Sequence, residues 1–185
     1  MNAEDRDARW MKLAIELAGK GLGLTSPNPC VGAVIVNKDQ IIGSGFHEKA
    51  GLPHAERNAI ADGIAKGNVG LFPDSTLYVT LEPCSTTGKT PPCTEAIIKH
   101  GFKRVVYGSE DPNPGHKGIA AEILKNAGIK VTRGVLEKEC DFLIRAFRLN
   151  MMEGRSWVIA KSAMSLDGHI SRSPERSQWL TGKAA

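Results

Sequence analysis

The sequence predicts an α/β layered domain with helices on both faces of a largely parallel sheet, and three observations carry that prediction. Strand-like runs alternate with helical patterns over most of the chain, the arrangement that stacks helices over a sheet. The 185 residues, 41% hydrophobic and 24% charged, suffice for one domain of ordinary size plus a remainder. With 20 glycines, 10 prolines and only 5% aromatic residues, the composition favours a compact fold with many tight loops over a long bundle.

Trp10, Leu13, Ala14, Leu17 and Ala18 recur at helical spacing, with Lys12, Glu16 and Lys20 on the other side, and predict the first helix. GKGLGLTSPNP breaks it and leads to VGAVIV (31–36), whose β-branched run is expected as a buried strand. IIGSGF (41–46) follows the turn residues Asn37, Lys38 and Asp39, so the two runs should pair as a hairpin. From His54 a second helix sets Ala55, Ala59, Ile60 and Ile64 on one side and ends near Gly67.

TLYVTLE (76–82) is the next strand, and a loop with Pro91 and Pro92 enters the helix TEAIIKHG. Proline suits that first turn, where its missing N–H would have no helical partner. RVVYGS (104–109) is a strand; Ile119, Ile123 and Ala127 mark a helix closed by Gly128; KVTRGV gives a last strand. One longer helix then carries Cys140, Leu143, Ile144, Phe147 and Met151. A boundary is expected near Gly154, dividing a main domain (1–153) from residues 154–185. That remainder opens on the strand-like WVIAKSAMSLDGHI and is too short for a core of its own.

The net charge of +4 permits an anionic partner, but Lys and Arg are scattered without a block of five, so no nucleic-acid stripe is expected. The start MNAEDRDARWMK is polar and acidic, and no apolar run approaches membrane-spanning length. A cytoplasmic protein with no membrane partner is therefore expected. Four cysteines without a secretory signal argue for metal or catalytic use of some, not for a disulfide framework.

Three fragments fall at the ends of regular elements: His54-Ala55-Glu56, Pro83-Cys84 and Cys93. Each alone is common. Together they offer one imidazole and two thiolates, which meets the count of a catalytic zinc site with three protein ligands and a fourth position open to water. Cys93 in the first turn of a helix gains from the positive end of the helix dipole, which favours the thiolate. Glu56 is read as the proton carrier and not as a fourth ligand, because side chains two apart on a helix do not share a face. It could then take a proton from the attacking water, give it to a substrate ring nitrogen, and in a later, second transfer protonate the departing amine.

A rival reading is a structural zinc closed by Cys30, Cys140, His47, His100 or His116, but none lies at ligand spacing from the other three and Glu56 would be idle. Gly19, Gly21 and Gly23 form a glycine-rich run after a helix, not after a strand, and so read as a helix end and not a phosphate loop.

HAE (54–56), LEPCSTTGKTPPC (81–93) and SEDPNP (109–114) resemble the deaminase half of the bifunctional riboflavin-biosynthesis deaminase/reductase family. The likeness runs from TSPNPCVGAVIV through GVLEKE, and in the tail SAMSLDGHIS and SQWLTG look like the opening of that family's reductase domain. Eight residues separate Cys84 from Cys93, whereas nucleic-acid deaminases generally place two between their cysteines. The resemblance implies a three-layer α-β-α cytidine-deaminase-like fold with a mixed five-stranded sheet, and one Zn2+ per chain. The implied substrate is 2,5-diamino-6-ribosylamino-4(3H)-pyrimidinone 5-phosphate, deaminated hydrolytically.

By the same resemblance Lys89, Asp111 and Asn113 would help hold the ribose 5-phosphate, and Asn28 and His47 would touch substrate. Asp111 and Asn113, beside prolines, equally suit stabilising their own turn. The chain departs from the family pattern in having Thr86 and Thr87 where a His and an aromatic are common, and in a loop after DPNP about two residues shorter. NADPH would be a cofactor only with a complete reductase domain. The alternatives are deamination of another nucleobase, a nucleoside or RNA adenosine, and a non-catalytic zinc-stabilised assembly module. The apolar tail also invites a homo-oligomer.

Overall fold

The Asn2 side chain accepts the Asp5 amide N–H at 2.7 Å and so starts α1 (Ala3–Gly19) of the computed structural model, which describes residues 2–86 and 91–170. Helix α1 buries Asp7, Trp10, Met11, Ala14 and Ala18. Strands β1 (Gly32–Asn37) and β2 (Gln40–Phe46) form the expected hairpin. Its two turn residues, Lys38 and Asp39, have φ of 45° and 62°, the left-handed pair that matches the twist of the flanking strands. Then follow α2 (Ala55–Ala65), a 3₁₀ turn over Val69–Asp74 that the sequence did not announce, and β3 (Thr76–Leu81). The chain continues through α3 (Cys93–Lys99), β4 (Arg104–Ser109), α4 (Ile119–Asn126), β5 (Lys130–Arg133), α5 (Glu137–Leu143) and α6 (Arg145–Glu153).

The sheet order is β2-β1-β3-β4-β5. Strand β1 runs antiparallel to both neighbours, while β3, β4 and β5 are parallel. The sheet is therefore mixed, and the largely parallel sheet expected from alternation alone is corrected: the first two strands are a hairpin, with no helix between them to reverse the chain. Side chains alternate across the sheet with period two. Ala33, Ile35, Leu77, Val79, Val105 and Tyr107 pack with α2, α3 and α4 on one face. Val34, Val36, Tyr78 and Val106 pack with α1 and Cys140 of α5 on the other. Covered on both faces, the sheet is the middle of three layers.

Four finer expectations shift. The long last helix is two, because Ile144 leaves helical geometry (φ −97°, ψ 14°) and caps both α5 and α6 while its side chain stays in the core. In α2, Gly63 turns inward against Phe72 and Ile64 is exposed. In α4 the buried face is Ala120, Ala121 and Leu124, one step from the predicted Ile119 stripe, since the left-handed Gly118 sets where the helix begins. Residues 157–170 form no strand: the run has no partner strand among the described residues, and Val158 and Ile159 are exposed. Among the described residues no helix is long and apolar enough to cross a membrane.

Two features hold the layers in place. Buried Asp7 accepts from Tyr78 Oη at 2.8 Å and from Arg104 Nη1 and Nη2 at 2.8 and 2.6 Å, tying α1 to β3 and β4. Asn58 Nδ2 donates to Phe46 O at 2.8 Å and Asp62 accepts the Ser44 N–H at 2.8 Å, fastening α2 to β2. Gly45 lets these two approach closely, since a Cβ there would stand 2.5 Å from Ala59 N and 2.6 Å from Asn58 Cβ. Gly45→Ala should accordingly cost about 1–3 kcal/mol, and a thermal melt should fall by about 3 °C for each kcal/mol.

Candidate active site

Three element ends converge beyond the C-terminal end of β3, the central strand of the sheet. His54 is the N-cap residue of α2, with extended backbone and no side-chain capping bond, so its imidazole is left for other partners. Cys84 follows β3 and Cys93 opens α3. His54 Nδ1 lies 3.5 Å from Cys84 Sγ and 3.5 Å from Cys93 Sγ, and the three ligating atoms all lie within 4.8 Å of one another. The Cys93 N–H donates to Cys84 Sγ at 3.2 Å and the Thr94 N–H to Cys84 O at 3.2 Å, which aims the first turn of α3 at the Cys84 loop.

One borderline nitrogen and two sulfurs suit zinc. His54 and Cys84 are only half-buried and line a cavity of about 180 Å³, so the cluster fits an ion with one open side. Among the described residues no fourth His, Cys, Asp or Glu joins the group. Cys30 Sγ donates to Leu143 O, His100 packs edge-on against Phe72, and both His47 nitrogens are engaged elsewhere.

The Cys93 thiol hydrogen-bonds Cys84 and stabilises its thiolate, drawing the Cys84 pKa down; the same contact, with burial, holds the Cys93 pKa up. His54 is pushed up chiefly by its bond to Cys84. Glu56, in the first turn of α2, is 3% exposed and stands outside the three-ligand group while lining the same cavity. Burial pushes its carboxyl up to about 7, negative charge on Cys84 adds to this, and His54 opposes it. A cation at the three ligands would draw it back down.

His47 is buried, and its Nδ1 lies 3.0 Å from Pro53 O. A carbonyl can only accept, so Nδ1 carries the proton and Nε2 accepts from Asn28 Nδ2 at 3.1 Å. That bond leaves Asn28 Oδ1 available as an acceptor, and both residues line the cavity. The His47 ring stands edge-on to His54, at 5.4 Å and 81°.

Asp111 lines the cavity, with burial raising its pKa, yet its Oδ1 also accepts the Asn113 N–H at 2.8 Å. Asn113 Oδ1 accepts the Gly115 N–H at 3.0 Å, and Asn113 is not among the lining residues. Both side chains thus hold their own turn, whatever else they do. Thr86, exposed, reaches His116 Nδ1 at 3.4 Å. Lys89 and the SQWLTG segment lie outside the described residues.

Sequence alone gave no role to Arg57, whose Nη2 donates to Pro91 O and Pro92 O at 2.9 and 3.1 Å and holds the turn leading into Cys93. Nor did it single out Glu82, Val31, Leu81 or Phe147, which line the cavity. For Phe147 the signal was its place on the apolar stripe of the last helices; for Glu82 and Arg57 it was only adjacency to a candidate ligand or to Glu56.

The family model described as the cytidine and deoxycytidylate deaminase zinc-binding region matches residues 4–109. The chain is 47% identical over 177 residues to the riboflavin biosynthesis protein RibD of Aquifex aeolicus, covering 96% of this chain and 48% of that protein. It superposes with a TM-score of 0.88 on a diaminohydroxyphosphoribosylaminopyrimidine deaminase/5-amino-6-(5-phosphoribosylamino)uracil reductase from Thermotoga maritima, at 47% identity, covering 98% of this chain and 51% of that one. RibD from Acinetobacter baumannii gives a TM-score of 0.85 at 46% identity, covering 98% and 49%. The chain spans about half the length of the curated relatives it matches.

Proposed function

The chain belongs to the cytidine and deoxycytidylate deaminase zinc-binding family, and from that premise we propose that it deaminates 2,5-diamino-6-ribosylamino-4(3H)-pyrimidinone 5-phosphate hydrolytically in riboflavin biosynthesis. The observation that carries this reading is the His54, Cys84 and Cys93 cluster with buried Glu56 on the wall of the same cavity. The likeness to RibD proteins selects the substrate.

His54, Cys84 and Cys93 would hold one Zn2+, which when bound supplies a Lewis acid with a position open to water. Glu56 would take one proton from the attacking water and give it to a ring nitrogen. It would then take the remaining proton of the newly added hydroxyl and give it to the amine, which leaves as ammonia as the C–N bond breaks and the ring C=O forms. His47, held by Pro53 O, fixes the Asn28 amide so that its oxygen can accept from a ring N–H or amino group. A cavity of about 180 Å³ is smaller than the ~300–1,000 Å³ of sites for drug-sized ligands. It therefore takes the pyrimidine ring and leaves the ribose 5-phosphate at its mouth, on the side that Asp111 lines.

We read residues 1–153 as the deaminase domain and 154–185 as the opening of a reductase-like one, in a cytoplasmic protein with no nucleic-acid partner. Ammonia release should be measured on freshly made pyrimidine phosphate beside cytidine, guanine and tRNA, with the phosphate ester alone turning over. Turnover of tRNA adenosine, with the steep salt dependence of polynucleotide binding, would overturn the substrate assignment.

A further inference from the structure

Glu82 sits between the end of β3 and Pro83-Cys84, with its side chain 4% exposed. A carboxylate so enclosed must find donors, and it finds three backbone amides. Oε2 accepts the Asp111 N–H at 3.3 Å and the Gly118 N–H at 3.0 Å, and Oε1 accepts the Ala120 N–H at 3.2 Å. Its own N–H donates to Ser109 O at 2.8 Å, joining the ends of β3 and β4. One side chain thus grips both ends of the 110–118 segment and the first turn of α4.

Helix α4 has no side-chain cap of its own, because its N-cap residue is Gly118. Glu82 supplies from another strand the acceptor that a capping Asp or Ser would supply locally, and its negative charge suits the helix N-terminus. The remaining hydrogen bonds of Asp111 and Asn113 are short-range, closing turns within the segment. They shape the loop without deciding where it stands relative to the cavity. Glu82 ties the segment to the strand that leads to Cys84, and both Glu82 and Asp111 line the cavity beside Cys84; the exposed Arg133–Glu110 ion pair at 3.1 Å links the same segment to β5.

We propose that Glu82 is a positioning residue: its buried carboxylate, by holding the amides of Asp111, Gly118 and Ala120, sets the Asp111 wall of the cavity against the Cys84 side and so governs substrate binding. The proposal rests on the deaminase reading for its substrate and on the hydrogen-bond geometry for its mechanism. Glutamine has nearly the same shape but one acceptor oxygen, and its NH2 would face a backbone N–H donor. Aspartate is shorter and keeps a carboxylate.

In Glu82→Gln, backbone amide exchange across 110–120 should accelerate while zinc content stays at the wild-type level. With the pyrimidine phosphate, KM should rise by about 10–100-fold, with kcat falling by less. Glu82→Asp should recover part of both effects and covers the case in which the glutamine variant fails to fold. Unchanged exchange in 110–120 would overturn the anchoring. Faster exchange with unchanged KM, or a fall confined to kcat, would overturn the role in binding. A wild-type chain that released no ammonia from this substrate would defeat the deaminase reading instead, and the exchange measurement would still decide whether Glu82 holds the loop.

Discussion

Glu56→Gln is expected to lower kcat for ammonia release by about 10²–10⁴-fold while the protein keeps its zinc and its fold. Glutamine fills the same buried space in the first turn of α2, so the neighbouring His54 should keep its place. What disappears is a group that can both accept and give a proton. Glu56 suits that work because it is enclosed, lines the same cavity and lies beside the three-ligand cluster without joining it. Deamination needs a proton to leave the nucleophile and another to reach a poor leaving group, and an amide side chain does neither. Steady-state ammonia release and zinc content measured on the same preparation test this. If the variant kept its zinc and released ammonia at the wild-type rate, Glu56 would not be the proton carrier. If it lost zinc, Glu56 would have a share in binding the metal.

Much of the fold was legible because burial on both faces leaves a plain mark. VGAVIV and TLYVTLE are continuous apolar or β-branched runs, and they became β1 and β3 at the centre of the sheet. Strand direction was less legible: nothing within VGAVIV says whether it runs with or against β3, and the antiparallel hairpin made the sheet mixed. Helix faces slipped where a small residue replaced a large one, as at Gly63, because tight packing against Phe72 selects the absence of a side chain and not its hydrophobicity.

In the candidate site, the grouping of His54, Cys84 and Cys93 with Glu56 on the same cavity was legible because few residue types could do the chemistry expected of them. The side chains that position them were not. Arg57 and Glu82 act on backbone carbonyls and amides far away in sequence, and such partners have no residue type to read. Asp111 and Asn113 are ambiguous for a related cause, since the oxygens that would serve a ligand already serve the turn.

Cys84→Ala should abolish zinc binding, take the metal content from one per chain to near zero, and reduce ammonia release by at least about 10³-fold. Cys84 is the choice because it bonds the imidazole of His54 and also receives the Cys93 N–H. Its loss removes one ligand and loosens the turn that presents another. The fold should nevertheless survive. The main hydrophobic clusters are built from the sheet faces and their covering helices, with Val79, Ile97 and Tyr107 fully buried on one side and Met11, Val34 and Val106 on the other, and neither depends on an ion. This separates the chain from small zinc modules, in which binding free energy is folding free energy.

Removing zinc from the native chain with a chelator should therefore leave a cooperative melt at lower temperature, the shift following the mass-action gain from a ligand that binds only the folded state. Cys93 must give up its thiol proton, and His54 its extra proton where it is charged, to bind the metal, so uptake by the stripped chain should release protons and tighten as pH rises. Metal analysis, calorimetric melting and ammonia release on stripped and reconstituted protein check all three points. Cooperative melting that vanished with the zinc would mean that the metal holds the fold together. Ammonia release that persisted without zinc would remove the metal from the chemistry.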